Sequence, residues 1–395
     1  MFTSILTPKF KIIVFSILIA GKVWAADEPA LTDVMRGRAM VSQGDPARLA
    51  AVLAKARRGE PICVAAIGGS ITAGGLQTKD PARRYVKQVA KWFETTFPGL
   101  KVSFVNAGIG ATDSAYGALR VKQDVLDRHP DLVVVEYAVN DSAKSPGHGD
   151  SYEGVLRQLL SSSKDLAVIE LFFMHKDGTS AQPVQVELGR HYGLPMISFT
   201  DAMWPEFQSG RLKWEDFYAD VVHPSDAGHD VASELLVDLL NASLAKLPPP
   251  VQPLPEVSDL PAPLISDAYE RCVLFRGEDF KPVTATGWTH ANPKFWECGP
   301  AGGTLEYEVP GQFLYLGLSI PEVATKNMEI VVDGAEPVAV TKSPKVASGL
   351  SPGLHKVKLT IHPYQASGDA SKDAVKLWWG GGAGCLHGSG RTSDR

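Results

Sequence analysis

From residue 45 to residue 246 the chain alternates between two hydrophobic periods. The stretch "DPARLAAVLAKARRGEPI" (45–62) spaces its apolar residues for a helix and closes on Gly59. The unbroken apolar run "ICVAAI" follows, too short for a helix and suited to a buried strand. The rhythm then repeats. "KVSFVNAG", "DLVVVEYAV", "LAVIELFFM" and "PMISF" predict strands, separated by helices around "ARRYVKQVAKWFETTF", "SAYGALRVKQDVLDRH", "YEGVLRQLLSSS" and "AQPVQVELGRHYG", with "SDAGHDVASELLVDLLNASLAKL" as the closing helix. Apolar strands alternating with amphipathic helices predict a parallel sheet covered on both faces, whose chemistry sits in the loops after the strands.

At 247–263 the pattern gives way to "LPPPVQPLPEVSDLPAP", which cannot extend a helix and is expected to act as a semi-rigid spacer. Beyond it lie short β-rich runs such as "GTLEYEVPG", "FLYLGLSIP", "MEIVVDGAEPVAV" and "HKVKLTIHP", with Asp333-Gly334 as a hairpin signal. The organisation expected is an α/β domain over 26–246, a linker over 247–263, an all-β sandwich over 264–380 and a flexible glycine-rich tail over 381–395. Residues 1–25 place Lys9 and Lys11 before an apolar stretch and end on Val23, Trp24 and Ala25, the pattern of a cleaved secretory signal peptide; Lys22 closes the stretch too early for a membrane anchor.

Composition changes this picture little. The 395 residues carry a formal net charge of -5 without a long basic run, which argues against nucleic acid or an anionic membrane surface as partner and for a neutral or small-molecule substrate. No stable membrane insertion is expected once the signal peptide is cleaved. The four cysteines, at 63, 272, 298 and 385, form no metal-ligand spacing, and no metal or cofactor is expected. Cys63 falls within a strand. Cys272 and Cys298 are open to two readings, a disulfide in an exported protein or two separate buried thiols.

Four segments after predicted strands assemble the parts of a serine acyl-transfer machine: "GGSIT" with Ser70, "NAGIGATDS" (106–114), "YAVND" (137–141) and "DVVHP" (220–224). A serine hydroxyl needs an imidazole to take its proton, and the imidazole needs a carboxylate to fix its tautomer. His223 and Asp220 offer that pair three residues apart on one loop. An oxyanion hole can be built from the side-chain amide of Asn140, a backbone N–H of the loop after Asn106 and the N–H of Ser70, each such donor contributing on the order of 3 kcal/mol in the transition state.

With those blocks in order, the chain from about 45 to 246 resembles the SGNH hydrolases, the GDSL-type esterases and lipases, and "GGSIT", "NAGIGATDSAYGALRV" and "HPSDAGH" are similar to a secreted bacterial branch with two-domain members. The resemblance implies a three-layer α/β/α doubly wound fold, with the serine block at Ser70, the asparagine block at Asn140 and the DxxH block at Asp220 and His223. It departs from the family where Gly69 replaces the usual aspartate before the serine, and where the second block leaves the backbone donor between Ala111 and Gly110.

Blander roles compete for several residues. A serine in a glycine-rich turn is commonly only a turn residue, and it is the DxxHP block that lifts Ser70 above that reading. Asp141 suits a helix N-cap, Asp226 the first turn of the last helix, and Asp113 and Arg120 capping or solvated positions beside the second block. His175, His191 and His229 have no partner pattern. Trp288, Trp296, Trp378 and Trp379 fill a small β core or stack on sugar rings, in a domain loosely similar to the jelly-roll partners of carbohydrate esterases. The expected activity is that of an exported serine esterase removing small acyl groups, acetyl foremost, from a carbohydrate, with a small-molecule ester or an acylated polysaccharide as partner. The alternatives are a lipase, thioesterase or acyltransferase with the same triad, or a non-catalytic polysaccharide-binding protein.

Overall fold

The computed structural model describes residues 31–75, 78–141, 148–340, 345–368 and 370–384; the expected signal peptide, Cys385 and most of the expected tail lie outside the described residues. The first domain runs α1 (Asp33–Ala39), β1 (Met40–Ser42), α2 (Ala47–Arg57), β2 (Ile62–Gly68), α3 (Ser70–Ala73), α4 (Tyr85–Thr96), β3 (Val102–Gly108), α5 (Ser114–Asp124) and β4 (Leu132–Glu136). It continues through α6 (His148–Ser162), β5 (Ala167–Phe172), α7 (Gln182–His191), β6 (Met196–Ser198), α8 (Phe199–Gln208), α9 (Trp214–Phe217) and α10 (Asp226–Ala245). The sheet order is β1-β6-β5-β4-β2-β3, reversing direction of progression beside β2 as a doubly wound sheet does. Strands β2 to β6 are parallel, and β1 adds an antiparallel edge that the periodicity did not announce.

Alternate residues of each central strand serve opposite layers. Val64, Ala66, Leu132 and Val134 pack with Val52, Leu53, Phe93 and Leu235 on one face. Ala65, Ile67, Val133 and Val135 pack with Leu119, Leu156 and Leu188 on the other. Helix α8 escapes the sequence pattern because Pro205 lies inside it. Proline cannot donate to the carbonyl four residues back. Here Arg38 from α1 supplies the donor, its Nε reaching the Asp201 carbonyl at 3.0 Å and its Nη2 the Ala202 carbonyl at 2.9 Å. Strand β4 also ends earlier than its apolar run, at Glu136, because Tyr137–Asn140 form a turn closed by the Asp141 amide on the Tyr137 carbonyl.

The second domain contains β7 (Cys272–Arg276), β8 (Thr284–Thr286), β9 (Trp288–Asn292), β10 (Phe295–Cys298), β11 (Gly303–Pro310), β12 (Phe313–Ser319), β13 (Met328–Val332), β14 (Val338–Ala339), β15 (Lys345–Ala347), β16 (Leu354–Ile361) and β17 (Val375–Ala383). One antiparallel sheet is ordered β15-β12-β17-β10-β9 with β7 also on β17, and the other β14-β13-β16-β11-β8. Leu305, Tyr307, Ile330 and Leu359 of the second meet Leu314, Leu316, Val375 and Leu377 of the first in a shared core, which makes a sandwich. Asp333 and Gly334, with φ of 51° and 76°, turn the chain after β13.

Several expectations change. Of the two readings of Cys272 and Cys298, a disulfide between them is excluded: they pair with Ala383 and Val375, eight residues apart on β17, which separates them by roughly 26 Å, far outside disulfide reach. The proline-rich segment is not a spacer but lies along the first domain. Arg157 donates to the Pro261 carbonyl at 2.8 Å, a ring nitrogen of His191 meets the Ala262 carbonyl at 2.8 Å, and Glu153 accepts the amides of Ile265 and Ser266 at 2.8 Å each. A proline run offers carbonyls without matching N–H groups, and side chains of α6 and α7 satisfy them. Residues 381–383, expected in the tail, belong to β17.

The tryptophans divide among different tasks. Trp288 is buried, Trp296 stacks on His290 with centroids 4.8 Å apart, Trp378 is exposed, and Trp379 stacks on Tyr116 of α5 at 4.3 Å across the domain boundary. Gly317 opposite Trp379 leaves the space its indole needs.

Glu170 on β5 is fully buried, accepts the Tyr152 hydroxyl at 2.9 Å and is pushed by burial from its usual 4.5 up to about 8. The folded chain thus holds a proton that the unfolded chain has released, a stabilisation complete below the unfolded pKa and lost as pH rises through the folded one. Stability should fall between about pH 5 and about pH 8, and fall less steeply in Glu170→Gln. Urea midpoints across that range measure it; identical slopes in the two proteins would contradict it.

Candidate active site

Strand β2 hands directly to a one-turn helix. Gly69 occupies the N-cap of α3 and Ser70 its first position, so the Ser70 N–H has no partner inside the helix. The turn tolerates no bulk. A Cβ on Gly68 would meet the Thr72 side chain, on Gly69 the Asn140 amide, and on Gly108 the backbone of Ala73. With Asn140 placed as it is here, a side chain at 69 would occupy its space. Asn106 fastens the arrangement from β3, donating from Nδ2 to the Thr72 carbonyl at 2.8 Å and accepting the Gly108 amide at 2.9 Å.

Across the cleft, residues 218–224 form a closed loop, with a bridge between Tyr218 and Pro224 and the Ala219 amide on the His223 carbonyl at 2.8 Å. His223 Nε2 lies 2.8 Å from Ser70 Oγ, and its Nδ1 lies 2.7 Å from Asp220 Oδ2. The other Asp220 oxygen accepts the amides of Val222 at 2.8 Å and His223 at 2.7 Å. Partial burial would raise the Asp220 carboxyl, but those two amides and the imidazole outweigh it and hold the group below the usual carboxylate range. An ionised Asp220 favours the Nδ1–H tautomer, which leaves Nε2 free to take the serine proton.

The residues expected as oxyanion donors lie in the loops beside Ser70. Asn140, half-buried, packs against Gly69. Gly110 faces Ser70, a Cβ there standing 3.9 Å from the Ser70 Cβ, and Ala111 beside it adopts a left-handed φ of 57°. The Ile109 amide on the Gly68 carbonyl and the Thr112 hydroxyl on the Ile109 carbonyl hold that loop in place.

Other residues near the site take structural roles, Asp113 and Asp226 those that local sequence suggested and the rest different ones. Asp141 stands seven residues before the first residue of α6. It is buried and accepts the Ser114 amide of α5 at 2.9 Å and the Gln185 side chain at 3.0 Å, while Asp113 is the cap of α5. Arg120 is not solvated but wholly buried behind the site. His175 places a ring nitrogen 2.9 Å from the Val139 carbonyl, bracing the Asn140 turn. His229 is buried and stacked on Tyr85, its pKa driven down to about 4 by burial and by Arg84. Asp226 sits in the first turn of α10, 3.8 Å from Arg83. Among the described residues no group of three or more His, Cys, Asp or Glu could hold a metal ion.

Residues 66–231, which contain all of these blocks, match the family described as GDSL-like Lipase/Acylhydrolase. The α/β domain carries the GDSL-like lipase/acylhydrolase match over most of its length. Two solved structures resemble the whole two-domain chain. One is a two-domain esterase (CEX) active on acetylated mannans, 26% identical, with a TM-score of 0.78 over 89% of this chain and 99% of that one. The other is the same enzyme type co-crystallised with mannopentaose, 26% identical, with a TM-score of 0.76 over 89% and 98%. No curated protein sequence matches the chain. A GDSL-like domain with this partner domain makes the chain a carboxylic-ester hydrolase of the serine type.

Asp220→Asn keeps the shape of the loop but removes the charge that supports the imidazolium, and should lower kcat about 10⁴-fold with KM little changed. Asn140→Ala should lower kcat about 10²-fold by removing one oxyanion donor. Steady-state kinetics on an activated ester measure both; full kcat in either variant would remove that residue from its role.

Proposed function

We propose that this chain is an exported serine esterase that removes small acyl groups, acetyl first among them, from a carbohydrate polymer. The observation that carries the reading is the continuous Asp220–His223–Ser70 chain of hydrogen bonds, 2.7 and 2.8 Å long. Ser70 Oγ attacks the ester carbonyl as its proton passes to His223 Nε2, and the tetrahedral oxygen is held by Asn140 and the backbone N–H groups of Ser70 and the 110–111 loop. Collapse releases the sugar alcohol, which takes the proton back from His223. Water then adds to the acyl-enzyme by the same route, freeing the carboxylic acid and Ser70.

The carbohydrate substrate is supported by the two-domain esterases active on acetylated mannans, whose likeness extends over both domains. Export is supported by the lysine-flanked apolar N-terminus that ends at Ala25. The sandwich supplies an aromatic surface suited to a sugar ring: Trp378, 37% exposed, lies against Phe295 with centroids 4.7 Å apart, and its Nε1 donates to Ser319 Oγ at 2.8 Å.

Purified protein lacking residues 1–25 should hydrolyse p-nitrophenyl acetate in a Ser70-dependent manner, with rates falling steeply for butyrate and octanoate, and should release acetate from acetylated mannan. Equal rates for wild type and Ser70→Ala would overturn the esterase reading, and a preference for octanoate would favour a lipase. Trp378→Ala should lower kcat/KM on the polymer about tenfold more than on p-nitrophenyl acetate, a loss expected of one stacked ring. An equal effect on both substrates would exclude a sugar-stacking role.

A further inference from the structure

Three of the loops that meet at Ser70 are fastened from behind by one side chain. Arg120, in the second turn of α5, is wholly buried. Its Nη2 donates to the Gly68 carbonyl at 3.0 Å and to the Tyr137 hydroxyl at 3.0 Å, and its Nη1 donates to the Ala107 carbonyl at 2.5 Å. Gly68 is the last residue of β2 before Gly69 and Ser70. Ala107 precedes the loop that carries Gly110 and Ala111, and Tyr137 opens the turn that carries Asn140. A guanidinium is a flat fork with fixed donor directions, so it fixes the relative height of the groups it binds, which a flexible ammonium cannot do.

A buried cation needs a counter-charge, and Asp124 provides it, Oδ2 lying 3.1 Å from Arg120 Nη1. The same carboxylate is clamped from the second domain. Arg276 of β7 reaches Oδ1 at 2.6 Å and Oδ2 at 3.1 Å, and also donates to the Tyr116 hydroxyl at 3.2 Å. Burial would raise the Asp124 carboxyl, but Arg276 and Arg120 outweigh it and hold it below its usual value. The two domains therefore share one charge, placed between the catalytic face and the sandwich.

We propose that Arg120 is a positioning residue for the acyl-transfer site, and that Arg276, through the shared Asp124, makes this positioning depend on docking of the second domain. The proposal rests on the serine-esterase reading above. Arg120 touches no reacting atom; it acts by holding the Ser70 N–H, the 110–111 loop and Asn140 at the spacing that a tetrahedral oxyanion requires. An error of about 1 Å in such a site can cost about a hundredfold in rate.

The test measures kcat and KM on p-nitrophenyl acetate, the rate of fluorophosphonate labelling at Ser70 read by mass spectrometry, and the thermal midpoint, for wild type, Ser70→Ala, Arg120→Lys, Arg276→Ala and Arg276→Lys. The expected result is a kcat about tenfold or more lower in Arg120→Lys and Arg276→Ala, KM within about twofold, slower labelling in parallel, and partial recovery in Arg276→Lys. If Arg120→Lys does not fold, the Arg276 pair carries the test from the domain surface. Arg276→Ala with a lowered thermal midpoint but wild-type kcat and labelling would show the ion pairs to be merely structural and overturn the proposal. Ester turnover no higher in wild type than in Ser70→Ala would instead defeat the esterase reading, and labelling, which needs no ester substrate, would then decide the positioning: unaltered rates in the arginine variants overturn it, and an unlabelled wild-type Ser70 overturns both.

Discussion

Strands β2, β3 and β4 run parallel in a register that ends Gly68 beside both Gly108 and Glu136, so three loops leave the sheet at one height. Ser70, the 110–111 loop and Asn140 are within reach of one another because of that level edge. It also crowds backbone against backbone. Glycine at 68, 69 and 108 removes the side chains that would collide, and the carbonyls left at the strand ends find Arg120 and the Ile109 amide as donors. Satisfying those carbonyls with fixed donors is what turns a set of loop openings into a rigid cradle.

Carboxyl groups of two kinds surround this cradle. Glu136 and Asp141 flank the Asn140 turn, both buried and both pushed by burial up to about 8. They act as hydrogen-bonding struts, Glu136 3.3 Å from the Thr72 hydroxyl and Asp141 on the first amide of α5. Asp220 lies at the rim, with its side chain 41% exposed, and three local donors keep it ionised. Solvent and amides at the rim sustain a charge that the interior would extinguish, and a charge is what the imidazolium of His223 requires.

The sandwich is joined to the hydrolase domain through helix α5 rather than by its linker alone. Trp379 stacks on Tyr116, Arg276 grips Asp124, and Leu274, Tyr315 and Ala383 complete the apolar layer over α5 and α6. The N-terminus of α5 follows the 110–111 loop directly, so the helix that anchors the second domain also anchors the loop that faces Ser70. The exposed Trp378 is the immediate chain neighbour of Trp379, which sets an aromatic surface beside this seam.

What the sequence by itself determined are the features written in short spacings: the alternation of apolar strands and amphipathic helices, the glycine turn around Ser70, the three-residue interval from Asp220 to His223, and the proline-rich change of domain. Each depends on residues a few positions apart, whose geometry the backbone imposes. Tertiary structure alone decided which polar groups meet across the chain. Arg120 reaches Gly68 over 52 positions, Arg276 reaches Asp124 over 152, Arg157 draws the proline segment onto α6, and the two cysteines end on opposite parts of β17. A buried arginine and a solvated one have the same local pattern, because the partners that justify burying the charge come from strands and domains distant in sequence.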